Sequence, residues 1–368
     1  MQIRLATFNV ENLFSRPAAM NLPKWSDGQP ILDAYNSLNR LLNKETYTPD
    51  DSQLILKLLG ELGLLEARPD NPYIELKRIR GRLFRTHKDR GPEVVAKGRS
   101  DWVGWVELKK DAIADEAIEN TARVIAEVNP DILVLVEIEN RVALQQFYDQ
   151  VLAPMQKARG LKSYPFNMVI DGNDSRGIDV GIISRYPIES MRSHIDDKKG
   201  EKRIFSRDCP EYYVRVRDDL EILILPNHFA SKGSDRSGSR RRAQAERVKV
   251  IYEGLKAMHA HIVVAGDMND YPEGGSLGAL LDGTDLKDAM SLPVYHGFPG
   301  TYEHANAREK LDYLLLSPAL AGGVSAVDVE RRGFYAPTKW PSFENINKDT
   351  KDRYQASDHH CLWADIEL

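Results

Sequence analysis

Seven sets of polar residues stand beside apolar runs in this chain, and their residue types suggest hydrolytic chemistry. Asn9 follows residues 3–8, Glu137 follows 132–136, Asn227 and His228 follow 222–225, and Asp267 and Asn269 follow 262–265. Asp179 precedes 180–183, Asp312 opens the run 311–316, and Ser357, Asp358, His359 and His360 precede 361–366. An acid at a strand end is commonly a turn or cap residue, so each position alone means little. Together they hold the carboxylates Glu137, Asp267, Asp312 and Asp358, the amides Asn9 and Asn269, and the imidazoles His228 and His359. Carboxylates gathered in one cleft repel one another unless a cation lies among them. An oxygen-rich donor set suits a hard ion, Mg²⁺ or Mn²⁺, rather than zinc. The histidines would bind phosphate, orient water or protonate a leaving group. This composition fits metal-assisted hydrolysis of a phosphate ester.

For that chemistry the seven sets must meet. The first four lie at C-terminal ends of predicted strands and the last three at N-terminal ends. A mixed sheet with the second group antiparallel to the first would put all seven on one edge, whereas a parallel sheet would split them. Ala114, Ala117, Ile118, Thr121, Val124, Ile125 and Val128 share one helical face, and Asn129-Pro130 ends that helix. The unbroken apolar run 132–136 reads as a strand covered on both faces. A glycine- and serine-rich loop over 231–239 precedes a helix with Ala243, Val248, Ile251, Leu255 and Met258 inward and Arg240, Arg241 and Arg242 in its first turn. Residues 15–100 differ from this pattern, with helices over about 31–43 and 49–65 and an alternating ribbon over 73–86. They read as an insertion in a domain that otherwise spans 1–368.

Length and composition describe a globular chain with a large core. No apolar run approaches the roughly 20 residues of a membrane helix, so no membrane is expected. Met1 leads at once into a strand pattern without a signal peptide, and Cys209 and Cys361 cannot form a disulfide framework. Both point to the cytoplasm, or to secretion if a leader has been removed. The net charge of −5 hides two basic islands. Residues 77–99 hold nine Lys/Arg against two acids, and 232–249 hold seven against two. Such islands in an acidic chain suit a polyanion such as nucleic acid. Tyr73, Phe84, Trp102 and Trp105 lie near the first island, where packing of the insertion is a stronger expectation than base stacking.

The chain resembles the endonuclease/exonuclease/phosphatase superfamily, which includes deoxyribonuclease I. The resemblance rests on Ala6-Thr7-Phe8-Asn9-Val10-Glu11-Asn12-Leu13-Phe14, Val134-Leu135-Val136-Glu137-Ile138-Glu139-Asn140, Gly181-Ile182-Ile183-Ser184-Arg185-Tyr186-Pro187, Asn227-His228-Phe229, Gly266-Asp267-Met268-Asn269-Asp270, Lys310-Leu311-Asp312-Tyr313 and Ser357-Asp358-His359, in the family's order. It implies a four-layer α/β sandwich with two packed mixed β-sheets. It further implies that Glu137 is the principal metal ligand supported by Asn9, with Asp358 near the metal. Asp267 would activate the attacking water and Asn269 contact phosphate. His359 would meet the scissile phosphate or act as base, oriented by Asp312. His228 would stabilise or protonate the leaving group, oriented by Asp179. The segment from His228 to Gly233, followed by Arg240 to Glu246, resembles a subgroup of bacterial nucleases, which makes Lys232, Arg240, Arg241 and Arg242 substrate-binding candidates.

The leading reading is a divalent-metal nuclease acting on DNA, with the basic islands neutralising phosphates. The alternative keeps the fold and acts on nucleotides, sugar phosphates or phospholipid head groups. A non-catalytic binding module comes third, because every expected catalytic position is filled by a competent residue.

Overall fold

The computed structural model describes residues 1–368 apart from 12, 21, 23, 24, 67, 68 and 175, and only the backbone of Trp25; the motif residue Asn12 lies outside the described residues. The chain divides into two compact units. The first is Met1–Phe14 with Ile113–Leu368, and the second is Ser15–Ala112.

Among the described residues, twelve strands of the first unit build two large sheets: β1 (Gln2–Asn9), β2 (Ile132–Ile138), β3 (Phe166–Ile170), β4 (Asp179–Ser184), β5 (Ile188–Arg192), β6 (Glu211–Arg217), β7 (Leu220–His228), β8 (Ile262–Asp267), β9 (Lys287–Asp288), β10 (Asp312–Leu316), β11 (Val324–Glu330) and β12 (Cys361–Glu367). One six-stranded sheet runs β11-β12-β1-β2-β4-β3 and the other β5-β6-β7-β8-β10-β9. Each is centred on one parallel pair, β1/β2 or β7/β8, with antiparallel strands on either side. The C-terminal ends of the parallel pairs and the N-terminal ends of β4, β10 and β12 therefore fall on the same edges, as the mixed-sheet expectation requires.

Strand alternation explains the layering. Ile3, Leu5, Val134 and Leu362 of one sheet share a core with Ile222, Ile224, Val263 and Leu314 of the other. The opposite faces pack on helices. Leu133 and Leu135 meet Ile118, Val124 and Ile125 of α1 (Asp115–Val128). Leu223 and Val264 meet Val248, Ile251 and Tyr252 of α2 (Ser239–Leu255). The result is the expected four-layer α/β sandwich. Helix α2 ends earlier than its periodicity suggests, because Met258 lies beyond it and is 76% exposed. The strands missing from the sequence reading, such as β6 and β11, alternate polar with apolar residues and lack the unbroken runs that marked β2 and β8.

The second unit closes at Ala112 rather than at residue 100. Its helices Trp25–Leu42 and Pro49–Glu61 pack Leu38, Leu42, Ile55 and Leu59 against Trp102 and Val106. Thr48 and Asp51 form a reciprocal capping box at the second helix. The expected single ribbon over 73–86 is two ribbons: Ile74–Arg80 pairs with Val103–Leu108, and Phe84–His87 with Gly91–Val94. Gly81 breaks the run. Its φ is +76°, and a Cβ there would lie 2.0 Å from the Asp101 carbonyl oxygen. Trp102 is a core residue, as the packing expectation has it.

No helix among the described residues is long and apolar enough to cross a membrane.

Candidate active site

The inner-facing register that buries Ile3, Leu5, Ile222, Ile224, Val263, Ala265, Leu314 and Leu316 continues to Asn9, His228, Asp267 and Asp312. Apolar residues thus fill the space between the sheets, and polar ones close it at one edge. Glu137 is the exception that completes the set. Its parity matches outward-facing Leu133 and Leu135, but β2 bulges there: Asp179 pairs with Ile138 and Val180 with Val136. Glu137 takes φ +65° in the bulge, and Ile138 then rejoins the outer cluster. A glutamate in the left-handed region costs about 1–3 kcal/mol. The bulge re-aims its carboxylate, whose Oε1 lies 3.6 Å from His228 Nε2.

Asp267 Oδ2 is the focus of the site. It accepts hydrogen bonds from Asn9 Nδ2 at 3.3 Å and Asn269 Nδ2 at 3.1 Å, while Asp267 Oδ1 accepts from the Asn269 N–H at 2.8 Å. His228 Nε2 lies 3.6 Å and His359 Nε2 3.9 Å from the same Oδ2. Asn269 reaches this pose with φ +52° and also donates to the Phe229 carbonyl. Burial raises the Asp267 carboxyl well above the usual range; Asp312 and Glu137 add to this and His359 opposes it.

The two histidines differ in charge. Burial drives His228 well below its ordinary value, helped by Arg207, Arg176 and His359. It is a neutral imidazole, and its Nδ1 has no hydrogen-bond partner among the described residues. With Nε2 facing Glu137 and Asp267, the surroundings assign the proton to that nitrogen. Burial also opposes charge on His359, but Asp312, Asp267 and Asp358 outweigh it and hold the ring as an imidazolium. Its Nδ1 is bonded to Asp312 Oδ2 at 2.7 Å, and its Nε2 lies 4.0 Å from Asp358 Oδ1. Thr301 fixes Asp312: its Oγ1 donates to Oδ2 at 2.8 Å and accepts the Asp312 N–H at 2.9 Å. Tyr302 packs edge-on against His359, with centroids 4.9 Å apart.

The expected residues Asn9, Glu137, His228, Asp267, Asn269, Asp312, Asp358 and His359 therefore converge. Asp179 reaches the same sheet edge, but its bond is to the Gly172 N–H at 2.8 Å, and His228 faces Glu137 and Asp267 instead. Arg241 does not face solvent. It is 4% exposed and donates to the Ala230 carbonyl at 3.1 Å, so it braces the loop. Lys232, Arg240 and Arg242 are exposed. Lys232 lies over the Tyr271 ring at 4.4 Å and 3.5 Å from Asp270.

Two arginines were not singled out from the sequence. Arg207 is fully enclosed, donates to the Phe229 carbonyl at 2.5 Å and to Asp174 at 3.1 Å, and has an unpartnered Nε. Arg176 grips Asp174 with both Nε (2.9 Å) and Nη2 (2.6 Å). Two guanidinium groups on one carboxylate leave a net positive charge that acts on His228 and Glu137. The run Asp174-Ser175-Arg176-Gly177 ahead of an apolar strand was the available signal.

The donor set fits a hard divalent cation. Glu137 accepts no hydrogen bond among the described residues, so its lone pairs are available. No three His, Cys, Asp or Glu side chains among the described residues form a ready cage. Mg²⁺ seldom uses one, since one or two carboxylates, water and substrate phosphate normally complete its shell.

The sequence profile of the endonuclease/exonuclease/phosphatase family matches residues 112–359. The chain belongs to this family. It is accordingly an enzyme of the phosphoester hydrolase class. No curated protein matches it in sequence. Similar solved structures include truncated TDP2 from Caenorhabditis elegans, at 18% identity, with 68% of this chain and 90% of that one covered and a TM-score of 0.46. A Bacteroides thetaiotaomicron protein of the family is 15% identical, with coverage of 69% and 88% and a TM-score of 0.49. A mannosyl-6-phosphatase from the same organism is 16% identical, with coverage of 69% and 92% and a TM-score of 0.47.

Asp179 supplies a stability prediction. Burial pushes its carboxyl up to about 7, with Asp171 and Asp174 adding and the Gly172 N–H and Arg207 opposing. The folded state then holds a proton between about pH 4 and 7 that the unfolded chain has lost, so wild-type stability falls as pH rises through that window. Asp179→Asn keeps an acceptor for Gly172 and removes the charge. It should melt several degrees above wild type at pH 8 and close to it at pH 4.5. Melting curves at the two pH values check this; an equal difference at both would contradict it.

Proposed function

We propose that this enzyme is a divalent-cation-dependent nuclease that hydrolyses phosphodiester bonds of DNA. The observation that carries the reading is the Asp267 carboxylate, held by two amides between a neutral and a charged histidine. Asp267 Oδ2 accepts the proton of an attacking water, while Asn9 and Asn269 keep the carboxylate from turning away. The His359 imidazolium, fixed by Asp312, binds a non-bridging phosphate oxygen and stabilises its growing charge. Such preorganised stabilisation is commonly the largest catalytic contribution. His228 offers an Nε2–H to an anionic oxygen and, being neutral, is a hydrogen-bond donor rather than a ready acid. Glu137, with Asn9 and Asp358, would hold Mg²⁺ or Mn²⁺. When bound, that ion supplies Lewis-acid neutralisation of the phosphate. Water adds to phosphorus, its proton goes to Asp267, and the phosphorus–oxygen bond to the leaving group breaks, the leaving oxygen keeping the bonding pair and taking a proton from solvent.

Support for DNA comes from the loop and helix start that carry Lys232, Arg236, Arg240 and Arg242, all exposed. That loop is tied to the site through Phe229, whose carbonyl receives both Asn269 and Arg207. The test is digestion of supercoiled plasmid and linear duplex with Mg²⁺ or Mn²⁺, using EDTA as control. Metal-dependent nicking is expected. Release of phosphate from monoesters with both DNAs left intact would overturn the DNA assignment.

A further inference from the structure

The second unit carries a concentration of positive charge that Asp89 and Glu93 offset only in part. Arg78, Arg80, Arg82, Arg85, Lys88 and Arg90 are all exposed. None of them forms an ion pair or a side-chain hydrogen bond with the described residues, whereas neighbouring Lys77 pairs with Glu75 and Glu107, and His87 with Glu93. Elsewhere in the protein arginines are commonly engaged, as Arg4, Arg185, Arg215 and Arg332 are with carboxylates. Six like charges left together repel and lower the stability of the folded unit, so an external anion would relieve a standing cost.

The framework beneath these charges is packed on a buried core. Ile74, Leu83, Trp102 and Val106 are buried in one core, and the two ribbons meet at the Gly81 turn, which no other residue could make without striking the Asp101 carbonyl. Arg78 and Arg80 flank a bulge in the first ribbon, Arg82 follows the turn, and Lys88 and Arg90 lie at the tip of the second. The cations are therefore spread over the thirteen residues Arg78–Arg90, across two successive ribbons. Arg78 and Arg82 line one cavity with Lys109, whereas Lys88 and Arg90 lie at the tip of the other ribbon, so a compact anion such as a sugar phosphate would use only a few of the six. A polymer bearing a negative charge every ~1.7 Å of its axis can engage more of them at once. Five of the six are arginines, whose planar fork matches phosphate oxygens. Large apolar residues exposed on or beside the ribbons are Ile79 at 67%, Val95 at 39% and Trp105 at 38%, less than the broad apolar face by which a membrane-surface element inserts.

We infer that the ribbons of the second unit form a DNA-backbone binding surface, separate in residues and in fold from the catalytic cluster. Its choice of polyanion rests on the nuclease reading; its existence does not. The test measures binding of a labelled 30-base-pair duplex to the full chain in EDTA, so that no turnover intervenes, across a salt series. R78E/R80E/R82E should weaken binding at least tenfold and flatten the dependence of log affinity on log salt by about 2–3, near 0.9 per lost phosphate contact. R85A/K88A/R90A, which introduces no repulsion, should weaken it by a smaller factor in the same direction. Hydrolysis of bis(4-nitrophenyl) phosphate with Mn²⁺ should stay within twofold of wild type in both variants, which also shows that they fold. Unchanged duplex affinity and salt slope in both variants would overturn the proposal. So would loss of binding to phosphatidylglycerol vesicles with duplex binding retained. Absence of hydrolysis in wild type with ribbon-dependent duplex binding intact would instead count against the nuclease reading alone.

Discussion

Asp267→Asn is expected to lower kcat for phosphodiester hydrolysis by at least about a thousandfold, combining loss of the general base with disturbance of a preorganised site. The amide is nearly isosteric and cannot take the proton from water. Two side-chain donors, Asn9 and Asn269, now aim at Asp267 Oδ2, so the amide must place its oxygen there and loses the bond from the Asn269 N–H. That mismatch is offset by removal of a buried charge. Burial raises the folded-state carboxyl above its unfolded value, so ionisation of Asp267 disfavours the folded state once pH exceeds the unfolded value. The variant should therefore melt no lower than wild type at pH 8 in EDTA. Activity and melting curves check both halves. Near-normal turnover would remove Asp267 from the chemistry, and a collapse in melting temperature would make the lost rate a folding effect.

Glu137→Gln is expected to raise the Mn²⁺ concentration giving half-maximal activity at least tenfold and to lower kcat by about a hundredfold or more. The second figure follows because several kcal/mol of transition-state charge stabilisation depend on the cation. Glu137 is the carboxylate that the bulge redirects, and among the described residues it accepts no hydrogen bond, with His228 Nε2 at 3.6 Å. Glutamine fits the same left-handed backbone no worse, so the fold should survive. Calorimetric titration with Mn²⁺ alone supplies a readout besides rate. Equal Mn²⁺ affinity and equal half-saturation in the variant would assign the cation to other ligands.

The site was legible in the sequence to the extent that strand ends are. Asn9, His228, Asp267 and Asp312 continue the period-two pattern of long apolar runs, and topology then brings them to one edge. Glu137 was found by its position after such a run, yet periodicity would have turned it outward; the bulge that reverses it depends on pairing with β4. Thr301 and Arg207 carried no local signal. Thr301 reaches Asp312 across 11 residues and Arg207 reaches Phe229 across 22, through loops without periodicity. Arg241 misled because three consecutive arginines on a helix look alike in sequence, while the helix turns one of them inward. The ribbon over 73–86 misled similarly: alternation reveals a strand but not its partner, which here lies some 25 residues later.

On the function proposed above, one sheet edge assembles a cation-dependent phosphodiester hydrolysing centre around Asp267. Its most direct test is the rate at which the full chain hydrolyses bis(4-nitrophenyl) phosphate, first with Mn²⁺, then after EDTA, then after Mn²⁺ is restored, with Asp267→Asn alongside. Turnover that disappears with chelation, returns on refilling and is absent from the variant is the expected result. Turnover that persists in EDTA, or that Asp267→Asn retains, would contradict it.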